Sequence, residues 1–106
     1  MIVTTTGTVD GQKIGEYIRV VSGEVILGAN MFKDIAAGFR NVVGGRAEAY
    51  ESELRNAREG ALKEMVEAAL ALGATGIVGV KLDYQTVGAN GSMLMVAATG
   101  TAVRFV

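Results

Sequence analysis

Apolar positions recur along this chain with two periods, and the change of period divides it into elements. Between residues 46 and 72, Ala47, Tyr50, Leu54, Ala57, Ala61, Met65, Ala68 and Leu72 follow one another at steps of three and four. That spacing keeps them on one face of an α-helix with 3.6 residues per turn. Leu62, Val66, Ala69 and Leu70 widen the stripe in the C-terminal half, which predicts burial there on more than one side. Glu51, Arg55, Glu59, Lys63 and Glu67 alternate in sign at four-residue steps, marking the face turned to water. Gly73 is placed to end the helix as its C′ residue.

Elsewhere the pattern is that of strands. Residues 2–5 are rich in β-branched types and predict a short strand. A polar turn over 7–15 contains Asp10-Gly11. Residues 16–27 predict one long strand or two, carried by Ile18, Val20, Val21, Val25, Ile26 and Leu27, with Ser22-Gly23 marking a bulge or a tight turn. Asn30 can cap a short helix running to about residue 43, whose apolar face is Ile35, Phe39 and Val42 or Val43; Gly44-Gly45 would end it. Residues 75–85 alternate, with Val78, Val80, Leu82 and Tyr84 on one face and Ile77, Gly79, Lys81, Asp83 and Gln85 on the other. A turn over 87–92, built on Asn90-Gly91, leads into a last strand over 93–105, interrupted at Gly100 by a bulge or a close backbone approach. The order β-β-α-α-β-β predicts one α+β domain, an antiparallel sheet with one long helix across it and a short helix beside.

Composition narrows the chemistry. The chain has 106 residues, half of them hydrophobic, so it can bury a core. Ten Lys+Arg balance eleven Asp+Glu, which gives no basic excess for nucleic acid and no polybasic run for an anionic membrane. Cys and His are both absent, which removes thiolate nucleophiles, imidazole bases and the usual zinc ligands. The N-terminus lacks a basic segment followed by an apolar one, and the longest apolar run, 68–80, is too short to span a bilayer and is broken at Gly73. A cytoplasmic protein is the expectation.

The combination of Gly44-Gly45-Arg46, Tyr50-Glu51, Ala57-Arg58, the run from Leu72 through Gly73-Ala74-Thr75-Gly76 to Val80, and Gly100-Thr101-Ala102-Val103 resembles the YbjQ-like family over nearly the whole chain. These are small, mostly bacterial and archaeal proteins of uncharacterised function that carry the label "putative heavy-metal-binding". The resemblance implies a dodecin-subunit-like fold and a ring-shaped homopentamer. The label fits this chain poorly, because Met31, Met65, Met93 and Met95 are its only sulfur atoms besides Met1, and isolated thioethers are weak ligands.

Several residues are candidates for a site. Gly44 and Gly45 before a helix can expose N–H groups to an anion, with Arg46 adding a fork for carboxylate or phosphate. The simpler reading is a turn between two helices, since no phosphate-loop or dinucleotide fingerprint surrounds them. Tyr50 lies on the apolar stripe, where its ring packs and its hydroxyl needs a partner. Arg58 lies nearer that stripe than the wet ladder and needs a carboxylate or carbonyl, from Glu51, Glu48 or a neighbouring subunit. Glu48 with Glu51, and Glu64 with Glu67, share helix faces and could hold a divalent metal with waters, although such pairs are most often solvated. Lys81 and Asp83 would form a polar collar if their face lined a ring channel, and otherwise simply meet water. Gly60, Ala57, Ala61 and Ala68 on the helix, with Gly76 and Gly79 on the strand, permit close packing.

Three functions follow in order of preference. The first is a non-enzymatic pentameric ring that binds a small ligand or partner at junctions lined by Gly44, Gly45, Arg46, Tyr50, Glu51 and Arg58. Such an assembly would also cover β-edges that no proline blunts. The second is a carboxylate-based metal-binding protein, with a divalent metal as its only cofactor. The third is an enzyme with an interfacial Glu, Tyr or Arg site, for which no catalytic motif in proper context is present.

Overall fold

The computed structural model describes residues 1–28 and 46–106, with helix side chains from residue 51 onward. The expected short helix over 30–43, and with it Gly44 and Gly45, lies outside the described residues. The elements are β1 (Ile2–Val3), β2 (Ile14–Leu27), α1 (Arg46–Ala71), β3 (Gly76–Val87) and β4 (Met93–Phe105), with a single 3-10 turn at Ala89–Gly91 between the last two strands. The four strands form one sheet in the order β1-β3-β4-β2.

The sheet is mixed, which corrects the expectation of a wholly antiparallel one. β3 and β4 form the expected hairpin, and β2 runs antiparallel on the other side of β4. β1 pairs parallel with β3, Ile2 opposite Gly76 and Val3 opposite Ile77. The pairing continues past the short strand. Thr4 N–H donates to the Ile77 carbonyl at 3.0 Å, and Gly79 N–H to that of Thr6 at 2.8 Å. The hairpin rule speaks only of neighbours joined by a tight turn, so it is silent on an N-terminal strand whose partner follows a long crossover.

α1 lies across β2 and β4, and its contact stripe is Ala57, Ala61, Met65 and Ala69, all buried. Three of these four are alanines, so the helix axis sits close to the strands. Leu62, Val66, Ala68 and Leu72 pack on the flanks of that core, but Leu70 is 56% exposed, so the stripe does not wrap as far round the helix as the sequence implied. The helix ends in a Schellman pattern: Gly73 N–H donates to the Leu70 carbonyl and Ala74 N–H to that of Ala69, at 3.0 and 3.1 Å. Gly73 takes φ +77°, as its place at C′ requires.

Under the helix, Val21 and Val25 from β2, Ile77, Val80 and Leu82 from β3, and Val96, Ala98 and Ala102 from β4 complete the core. Ile77 and Val80 are three apart, which strict alternation forbids on one face. A bulge between Val78 and Lys81 resolves this, with Gly79 at φ +62°. The strand thereby changes phase: Ile77 joins the core, while Val78 is buried on the opposite face with Val103, contrary to the faces expected from simple alternation. Gly100 faces Ile77 and Val80, and a Cβ there would lie 2.6 Å from an Ile77 methyl. It is the close approach foreseen as one of two options.

Ser22-Gly23 is neither a bulge nor a turn. β2 passes through it in regular register with β4, and the irregularities lie earlier, between Ile14 and Glu16 and between Tyr17 and Arg19. Gly23 is buried because α1 crosses above it: a Cβ would meet the Ala61 carbonyl and stand 2.7 Å from Met65 N.

Candidate functional site

Of the residues expected to form a site, Glu51 and Arg58 have described side chains. Gly44 and Gly45 lie outside the described residues, and Arg46 and Tyr50 are placed only as the first turns of α1. Glu51 is exposed, two helical turns before Arg58, and it does not pair with it. Arg58 instead reaches down to the sheet, where Nη1 donates to Tyr84 Oη at 3.3 Å. The expected carboxylate partner is thus replaced, among the described residues, by a phenol. The reason is geometric: Arg58 leans off the helix toward β3, and Tyr84 stands on the helix-facing side of that strand beside Leu82. The hydrogen bond to Tyr84, together with the charge that phenol can carry, pushes the Arg58 guanidinium above its ordinary pKa, so it stays charged.

Tyr84 was legible as a strand residue of the right face, but nothing in the pattern tied it to Arg58, 26 positions away. Arg104 is a second residue that spacing alone did not reveal. Its Nε donates to the Gly73 carbonyl at 3.2 Å and its Nη1 to Glu16 at 2.9 Å, which joins the end of α1 to β4 and β2. Lys81 and Asp83 pair across 3.4 Å, both exposed on the sheet face turned from the helix.

The donors for a soft metal do not fit. Cys and His are absent from the sequence, and Met65 is sealed in the core. Met93 and Met95 are half-buried on β4. Among the described residues no three carboxylates converge, and Glu64 and Glu67 stand exposed. A heavy-metal centre needs thiolate or imidazole ligands in a closed set, and this arrangement offers neither.

Two shallow cavities lie elsewhere. One of about 340 Å³ is lined by Ile2, Thr4, Thr6, Thr8, Val9 and Asp10. The other, about 260 Å³, lies where the Arg19–Ser22 stretch of β2 meets Ala68 and Leu72 near the end of the helix. Neither contains Arg58 or Tyr84. Among the described residues no helix is long and apolar enough to cross a membrane.

Comparison with known proteins places the chain. It is 64% identical over 105 residues to UPF0145 protein jk0060 of Corynebacterium jeikeium (strain K411), covering 99% of both chains. In fold it is similar to a crystal structure of a protein of unknown function from Pediococcus pentosaceus ATCC 25745, assigned to the DUF74 family. That chain is 22% identical, with a TM-score of 0.65 over 100% of this chain and 98% of that one. The family described as "Putative heavy-metal-binding" matches residues 1–106, the whole length, and the chain therefore belongs to this YbjQ-like family.

Proposed function

We propose that the chain is a non-enzymatic binding module whose working unit is a closed ring of copies, a homopentamer or a multiple of one, with a small ligand or partner held at the junctions. The observation that carries this reading is the sheet face turned away from α1. Tyr17, Val20 and Ile26 are 67%, 70% and 56% exposed there, and strand alternation puts Met93 and Met95 on the same face. Apolar surface of this extent on one face is the usual mark of an interface.

Two further features support it. Among the described residues β2 is an edge strand of 14 residues without proline, and beyond Val80 no strand covers the outer side of β3. The radius of gyration is 16.5 Å, against about 13 Å for a compact chain of some 100 residues. A two-layer slab of this kind buries the helix side of its sheet and, apart from Val78 and Val103, leaves apolar side chains on the other side for a neighbour.

Light scattering on the purified chain at micromolar concentration tests the proposal. A mass near five times 11.0 kDa, or a multiple of that, is expected. A folded 11.0 kDa species overturns it.

A further inference from the structure

We infer that Arg58 and Tyr84 form an anion-binding pair at the rim where α1 overhangs β3, taking the carboxylate or phosphate group of a small ligand. This names the chemistry of the ligand in the junction reading and rests on that reading for where the ligand sits in an assembly, but the pair itself lies within one chain.

Proton bookkeeping leads to the chemistry. A guanidinium has five N–H donors and no acceptor. One donor of Arg58 is used on Tyr84 Oη, at 3.3 Å. The phenol oxygen accepts that bond, so its own proton is left to donate elsewhere. Among the described residues no acceptor takes it, and no carboxylate pairs with Arg58: the ion pairs are Lys81 with Asp83 and Arg104 with Glu16. Among the described residues the pair therefore presents several donors, one of them charged, and no carboxylate is hydrogen-bonded or ion-paired to it; Glu59 acts on Arg58 through its charge alone, as the last of the influences on it.

Its surroundings sharpen the contrast. Among the described side chains of α1 the other cations are Arg55 and Lys63, and both belong to the ladder, each flanked by glutamates four residues before and after. Arg58 stands off that ladder. Its sequence neighbour Glu59 points about 100° round the helix from it. Tyr84 is 49% exposed and Arg58 half-buried, so the donors are reachable from solvent. The tyrosine also holds the guanidinium in one place, which lowers the entropy lost when an oxyanion docks. Oxyanions with two coplanar oxygens suit such a fork best.

The test is an amide NMR titration of the full chain at constant ionic strength, with inorganic phosphate in one arm, acetate in a second and chloride in a third. Saturable shifts centred on Arg58 and Tyr84 are expected in the phosphate or the acetate arm, and the stronger arm identifies the group. Arg58→Lys, which keeps the charge and loses the fork, should weaken binding about tenfold, and Tyr84→Phe by a smaller factor. Arg55→Gln should leave it within about twofold, as expected for a charge outside the pair. No saturable shift up to about 20 mM, an equal response to chloride, or native-like binding by both variants overturns the inference. Light scattering on the same samples separates the two claims. Saturable binding by a monomer keeps the pair and removes the ring, and a ring with a silent pair does the reverse.

Discussion

A methyl group added at Gly23 has nowhere to go. It would stand 2.7 Å from Met65 N and nearer still to the Ala61 carbonyl, both main-chain atoms of α1. Side chains can rotate away from such a contact, but a helix backbone has to translate, and overpacking of this kind costs about 1–3 kcal/mol. Gly23→Ala should therefore lower the melting temperature by about 4–8 °C for each kcal/mol lost, measured by thermal unfolding at one fixed protein concentration. Gly7→Ala is the comparison: nothing lies within 4 Å of its added Cβ, and it should stay within about 0.5 kcal/mol of the parent. Equal stability of the two variants would show that α1 does not press on Gly23. These glycines also mark where sequence reading loses resolution. A glycine is spent either on a left-handed backbone or on missing volume, and the letter is the same for both. Gly23 suggested a bulge or a tight turn and is missing volume. Gly79 suggested close packing and is the bulge, at φ +62°. Only a neighbour distant in sequence, α1 in the first case and β4 in the second, tells them apart.

Elements with their own repeat were legible, and elements defined by a partner were not. α1 runs over Arg46–Ala71, within one residue of the span its three- and four-step stripe implied, and β4 matches its expected range. The parallel pairing of β1 had no local signal, because two residues carry no period and the partner follows a crossover. The end of α1 lies between these cases. Gly73 announced itself as a C′ residue, whereas its second function required the fold: Arg104 folds against it, so an added Cβ would lie 2.9 Å from Arg104 Nη2. Gly73→Ala should thus cost at least the roughly 1–2 kcal/mol of a left-handed alanine, read by denaturant unfolding. Arg104→Gln should cost no more than about 1 kcal/mol, since its bridge to Glu16 is half-exposed on both sides. A ranking in the other order would put the helix end under the control of the ion pair instead of the backbone.

At the scale of the whole molecule, hydrophobic patterning reveals layers but not sites. Half-burial of a sheet face follows from alternation, and so did the expectation that a second face stays open. Contacts such as Arg58 with Tyr84 depend on how far one layer slides over the other, which no periodicity encodes. The family description raises a question that can be argued from composition and layers together. Soft divalent ions are held by thiolates and imidazoles, and the chain has none of either. Among the described residues the most enclosed thioether, Met65, is walled in by the alanines of α1 and the valines of the sheet, with no polar side chain buried beside it. Assembly cannot repair this, because every copy in a homomeric ring brings the same donors. Carboxylates gathered from several copies would select hard ions with oxygen shells. Calorimetric titration with Cd²⁺ should accordingly give no saturable heat at micromolar metal, whatever the oligomeric state. A Cd²⁺ site of micromolar affinity that survives the combined change Met31→Leu, Met93→Leu and Met95→Leu would require a ligand set built chiefly from oxygen, and it would move this chain's chemistry from anion recognition to metal binding.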